Sequence, residues 1–283
     1  MGRPRHLAPT CSIESVAHGA VAVSCEGVRV PVDIETRDDG IVAVWMNWPE
    51  KRNALGPADT REVGDAIVAA GSSAGHGVVL SGVGAFCAGG DLEQFAELSA
   101  RSSASEVRTR IYENVHSVLR AIRACPVPVA AAVDGPAVGL GLDYALACDF
   151  CVVGSKGWMQ QGWALAGLVH GAGGSAFIQQ AAGTAFWKLI TEQERIDGAR
   201  AQELGLGEPA DGLAFDAAVA RLSQLASLPR EVLEAYTSLS REIRWPNDAF
   251  FARCADFQAQ FIASEAFRAR ADAILQARAA ARA

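Results

Sequence analysis

Two glycine-rich turns constrain this chain more than any other feature, because each follows a short, apolar or nearly all-apolar run and each opens a helix. The runs are Gly77 to Ser81 (GVVLS) and Val129 to Val133 (VAAAV). A run this short, with no polar alternation, is expected of a strand buried on both faces. Gly82, Gly84, Gly89 and Gly90 follow the first run, and a helix is predicted from about Asp91. Asp134-Gly135-Pro136 follow the second, before a glycine-interrupted helix through Ala147. Phe150 to Val153 reads as a third apolar strand. A loop with Gly162, Gly167, Gly171, Gly173 and Gly174 then leads to a helix through about Ala182. Such alternation of strand and helix predicts an α/β fold.

The flanking segments fit the same plan. Val32 to Thr36 and Ile41 to Met46 read as a hairpin around Asp38-Asp39-Gly40. Pro57 starts an amphipathic helix to Ala70. A second helix is predicted over Glu106 to Ala124, ended by Pro126 and Pro128. From about Leu213 the pattern is almost wholly helical, with breaks at Pro229 and Pro246. Residues 1 to 31 form an extension of uncertain structure, in which Ala20 to Ser24 is a candidate strand.

Composition excludes several function classes. The 283 residues carry a formal net charge of -7, which argues against general nucleic-acid binding, since that needs clustered cations. A local basic patch for a phosphorylated ligand stays open. The longest apolar stretch, about Val127 to Val133, is far short of the ~20 residues that span a bilayer. The N-terminus does not read as a secretory signal, so a cytoplasmic protein is expected. Seven cysteines at irregular spacing read as free thiols in a reducing compartment. Cys148 and Cys151 are formally a CxxC pair, but they fall at a strand, and no second pair completes a metal site. Cys87 lies near the first turn, where a reactive thiol is a minor alternative. No metal site is predicted.

The chemistry begins at the two helix N-termini. Backbone N–H groups there lack intrahelical partners and carry the positive end of the helix dipole. Two such termini facing each other would aim two donors at one oxygen. That is an oxyanion hole, in which one donor is worth roughly 3 kcal/mol of barrier. Either turn alone also fits an ordinary strand-to-helix connection. A phosphate loop fits neither, because no Gly-Lys-Ser/Thr triplet and no GxGxxG spacing is present.

Four stretches together carry a resemblance. They are Pro49-Glu50-Lys51-Arg52-Asn53-Ala54-Leu55, Ala85-Phe86-Cys87-Ala88-Gly89-Gly90-Asp91-Leu92, Asp134 through Asp149, and Gly167 through Gly174. In order and spacing, over about residues 32 to 212, they resemble the enoyl-CoA hydratase/isomerase (crotonase) superfamily. The resemblance implies stacked ββα turns over 32 to 212 and a helical region over 213 to 283 that mediates trimer contacts. A homotrimer or dimer of trimers is expected. It further implies an acyl-CoA or acyl-carrier-protein thioester as partner, with coenzyme A present only as part of the substrate and no separate cofactor. The amides of Gly90 and Leu140 would hold the thioester oxygen, and Lys51, Arg52, Ala88, Asp91 and Trp163 would line the substrate and CoA site.

The departures from that pattern bear on the reaction. Family hydratases use two glutamates, and two carboxylates in different environments suit the addition of water to a double bond. At the matching positions this chain has Asp143 and Trp163, and an indole cannot exchange a proton near neutral pH. His170 stands where many relatives carry proline, and His116 lies on the helix expected to line the acyl pocket. An imidazole is suited to proton transfer. Trp163 with His116 also resembles the dehalogenase branch, but Gly171 occupies the place of that branch's nucleophilic aspartate. The expected catalytic set is therefore Asp143 with His170 or His116. The expected reaction is double-bond isomerisation or hydration/dehydration through an enolate. Decarboxylation of a malonyl-type thioester and a catalytically silent acyl-CoA binder are the alternatives.

Overall fold

The computed structural model describes residues 11–16, 20–25 and 28–281. Strands β1 (Cys11–Val16), β2 (Ala20–Cys25) and β3 (Val28–Arg29) form a small antiparallel sheet. The extension thus contains a hairpin, and the candidate strand at Ala20 is part of it.

The main sheet has six strands. These are β4 (Val32–Thr36), β5 (Ile41–Met46), β6 (Gly77–Gly82), β7 (Val129–Val133), β9 (Phe150–Val153) and β11 (Glu208–Pro209), ordered β11-β9-β7-β6-β5-β4. Only β4 and β5 pair antiparallel, which fits their hairpin turn. A second sheet pairs β8 (Pro136–Val138) with β10 (Trp158–Gln160) in parallel.

Helices α1 (Pro57–Ser73), α2 (Leu92–Arg101), α3 (Ala104–Arg110), α4 (His116–Ala124), α5 (Leu140–Ala147), α6 (Gly174–Ala182), α7 (Phe186–Glu192) and α8 (Gly198–Leu204) intervene between the strands. Helices α9 (Ala214–Ser223), α10 (Arg230–Arg244), α11 (Asp248–Ile262) and α12 (Glu265–Ala280) complete the chain.

The apolar runs are explained by two cores. Val78, Leu80, Ala131 and Val133 face the larger core. Val79, Ala130 and Ala132 point the other way, onto Ala214, Ala218 and Leu222 of α9. Successive side chains alternate faces, so a strand covered on both sides has no polar position.

The helix predicted over Glu106 to Ala124 is in fact divided. It begins at Ala104, where Ser103 and Glu106 form a capping box. Ile111–Val115 is wound as a π-helix before α4 resumes. The C-terminal helices are tied to the sheet by Arg241 of α10. Its Nε donates to Asp149 Oδ1 at 3.0 Å and its NH2 group donates to Oδ2 at 2.5 Å. The same NH2 group reaches the Val127 carbonyl at 3.1 Å.

Candidate active site

The two glycine-rich turns lie side by side. Cys87 N donates to Pro136 O, and Val138 N donates to Cys87 O, both at 2.9 Å. At Gly141 an added Cβ would stand 2.3 Å from Cys87 O, a backbone atom that cannot swing aside. Only glycine allows α5 to approach the first turn this closely. On its other side the first turn is laddered to Leu55, through Leu55 N to Gly89 O at 2.9 Å and Asp91 N to Leu55 O at 3.0 Å. The Gly90 amide falls between those two bonds and takes no part in them. Leu140 opens α5, where its amide precedes the first intrahelical bond. Among the described residues neither amide has an acceptor.

Gly90 and Leu140 line one cavity of about 450 Å³. Ala88, Phe95, Trp163 and Phe267 also line it, and the exposed side chains of Arg52 and Arg278 stand at its mouth. The ionisable side chains of this lining, among the described residues, are those two arginines.

The remaining predicted site residues are distributed unevenly. Lys51 Nζ lies 2.6 Å from Asp59 Oδ2 and 3.3 Å from Asp91 Oδ2, so Lys51 and Asp91 brace the first turn and do not line the cavity. Asp91 also caps α2, accepting from Gln94 N. Cys87 is fully buried, and burial pushes its thiol up to about 12, which leaves it protonated near neutral pH.

Asp143 and His170 are brought together. Asp143 Oδ1 is 2.7 Å from His170 Nδ1, and Asp143 Oδ2 accepts from Trp163 Nε1 at 3.2 Å. Gln161 Nε2 lies 3.3 Å from His170 Nε2 and donates to it when Nδ1 carries the proton shared with Asp143. Gly174 faces this pair. A Cβ there would stand 1.9 Å from Asp143 Oδ1 and 2.8 Å from His170 Nδ1. Neither Asp143 nor His170 lines the 450 Å³ cavity. Trp163 does, and it connects the two regions.

His116 is not part of that group. Its Nε2 donates to Gly171 O at 2.7 Å, and its ring packs edge-on against Tyr112 and Phe251. It lines a separate cavity of about 100 Å³. Burial lowers its pKa to about 4, the Gly171 carbonyl opposes that shift and Arg120 adds to it.

Gln258, Ile262 and Arg278 line the main cavity too, and the sequence reading missed them. They lie on α11 and α12, more than a hundred residues after the second turn. The available signal was a buried glutamine on the apolar side of α11: Gln258 accepts from Val169 N at 3.2 Å.

Comparisons with known proteins bear on the fold and the family. Residues 36–276 match the model of the enoyl-CoA hydratase/isomerase family. The mouse mitochondrial enoyl-CoA hydratase domain-containing protein 2 is 38% identical over 173 residues, which are 60% of this chain and 57% of that protein. The chain thus spans little more than half the length of these mammalian relatives. A protein of Mycobacterium tuberculosis named as a probable enoyl-CoA hydratase is 32% identical over 197 residues, 68% of this chain and 77% of its own.

Among solved structures, an enoyl-CoA hydratase from Mycobacterium avium subsp. paratuberculosis superposes with a TM-score of 0.72 at 26% identity, covering 86% of this chain and 98% of that one. One from Bacillus halodurans, at 20% identity, shares the fold with a TM-score of 0.76, over 86% of this chain and 100% of its own. With its two interlocked glycine turns and a family match running from β4 into α12, the chain belongs to the enoyl-CoA hydratase/isomerase family.

Proposed function

We propose that the 450 Å³ cavity binds an acyl-CoA thioester with its carbonyl oxygen between the amides of Gly90 and Leu140. The reaction then passes through the enolate that those two donors stabilise. One observation carries this reading: two backbone N–H groups without acceptors among the described residues line the same cavity. Fixed donors in a water-poor site act strongly on developing negative charge. Arg52 and Arg278 at the mouth suit the phosphates of CoA.

The wall of the cavity favours one reaction class. Adding water across a double bond needs an acid and a base within hydrogen-bond reach of the substrate. The cavity lining offers neither among the described residues, because Trp163 stands between it and Asp143. Loss of carbon dioxide from a malonyl-type thioester needs no base. The electron pair of the breaking C–C bond enters the enolate held by the two amides, and water supplies the proton to carbon. Decarboxylation is therefore the favoured reaction. Isomerisation is the second reading, because it needs a single carboxylate and Asp143 is one side chain away from the cavity.

Malonyl, enoyl and 3-hydroxyacyl thioesters, each offered on CoA and on an acyl carrier protein, test these readings by mass spectrometry, with ultraviolet absorbance reporting double-bond shifts. Leu140→Pro tests the carbonyl contact. Proline at the first helical position keeps the helix and removes the N–H, and turnover is expected to fall about 10²- to 10³-fold. Unchanged turnover in a folded Leu140→Pro variant refutes the oxyanion assignment. Binding of CoA esters without turnover of any would make the chain a silent acyl-CoA binder.

A further inference from the structure

One side chain of the cavity wall, beside the second glycine-rich turn, is held in place from behind. Trp163 is 7% exposed and lines the cavity beside Gly139 and Leu140. Its indole Nε1 donates to Asp143 Oδ2 at 3.2 Å, and the other oxygen of that carboxylate is held by His170 Nδ1 at 2.7 Å. Asp143 and His170 are themselves buried. Gly174 packs so closely on the Asp143–His170 pair that a single methyl group would not fit, and the next residues lead through Gly171 to His116. His116 lines a separate cavity of about 100 Å³.

A tryptophan that merely filled space could turn aside for a longer ligand. This one would have to break a hydrogen bond to a buried carboxylate, leaving the indole N–H and one carboxylate oxygen without partners. We infer that Trp163, pinned by Asp143 and His170, is a fixed plug that limits the cavity to short acyl groups. On this inference Asp143 and His170 act through Trp163 as positioning residues. The inference rests on the acyl-thioester reading above and deepens it.

Calorimetric titration of the full chain with acetyl-, butyryl- and octanoyl-CoA tests this, since these saturated esters need no turnover. Wild type is expected to bind butyryl-CoA at least about tenfold more tightly than octanoyl-CoA, and Trp163→Ala to remove that gap. Trp163→Leu is titrated alongside as a less disruptive truncation, with circular dichroism reporting the fold of each variant. Asp143→Ala is expected to narrow the gap by freeing the indole, and Asp143→Asn, which keeps an acceptor oxygen, to restore it. The restoration separates pinning from a general structural role. Equal affinity of wild type for butyryl- and octanoyl-CoA, or an unchanged profile in both folded Trp163 variants, overturns the plug while leaving the thioester site standing. No binding of any ester by wild type overturns the thioester reading and the plug with it.

Discussion

The carboxylate of Asp143, wholly buried, and the buried imidazole of His170 meet at 2.7 Å. Both carboxylate oxygens are occupied, the second by the Trp163 indole. Asp143→Ala leaves two buried donors without an acceptor and should cost about 2–4 kcal/mol of stability. Asp143→Asn keeps one acceptor oxygen and offers an NH₂ to the other tautomer of His170, so it should cost less than half as much. Urea denaturation of the three proteins reads the difference. Equal losses in both variants would mean that the pairing contributes little.

The two glycine-rich turns owe their close approach to Gly141, whose missing side chain admits Cys87 O. Gly141→Ala must drive the turns apart, because neither contact atom lies on a flexible side chain. Stability should fall by about 1–3 kcal/mol, as in other overpacked sites. Acyl-CoA affinity should fall at least about tenfold. Native-like melting together with wild-type affinity would show that the spacing of the turns does not control the site.

Much of the fold was legible because burial on two faces leaves a plain signature. Val129–Val133 and Phe150–Val153 occur at the predicted residues, and α6 ends at Ala182 as expected. The divided helix was less readable. Ser103 and Glu106 signalled the true start, but nothing in Ile111–Val115 announces a π turn, which depends on packing around it. At the site, the glycine-rich turns were legible as strand-to-helix connections, and the family resemblance carried by them pointed to Gly90, Leu140 and Arg52, which line the cavity. They did not indicate that Lys51 is engaged by Asp59 and Asp91, or that Trp163 separates Asp143 from the cavity. The Lys51–Asp91 and Trp163–Asp143 contacts join residues 40 and 20 apart in sequence, which no short window contains.

Arg241 should be among the most sensitive positions outside the site. It is 3% exposed, meets both oxygens of Asp149 and also reaches the Val127 carbonyl. Truncation to alanine leaves the part-buried carboxylate of Asp149 with only the Val129 amide as donor, and should cost about 2–4 kcal/mol, at or below the lower end for a fully buried pair. Replacing both partners, with Arg241→Met and Asp149→Asn, should recover part of that loss. The check is a double-mutant cycle followed by chemical denaturation, and strictly additive losses would contradict a coupled pair.

His116 should make the protein sensitive to acid. Its ring is held neutral in the fold, with a pKa lowered from 6.5 to about 4 chiefly by burial, while Nε2 keeps its proton for the Gly171 carbonyl. The unfolded chain takes up a proton on this histidine as pH falls below about 6.5, and the folded chain does not until about 4. Across that window the unfolded state binds more protons, so stability falls as pH falls, by about 3 kcal/mol for one such group. Above the window the folded protein carries no such penalty. His116→Gln retains an N–H donor for Gly171 O and does not titrate, so its stability should be flatter between pH 6.5 and 4. The difference between the two proteins should be constant above that range. Denaturation midpoints measured across the window test the assignment, and parallel pH profiles for the two proteins would place the acid sensitivity elsewhere.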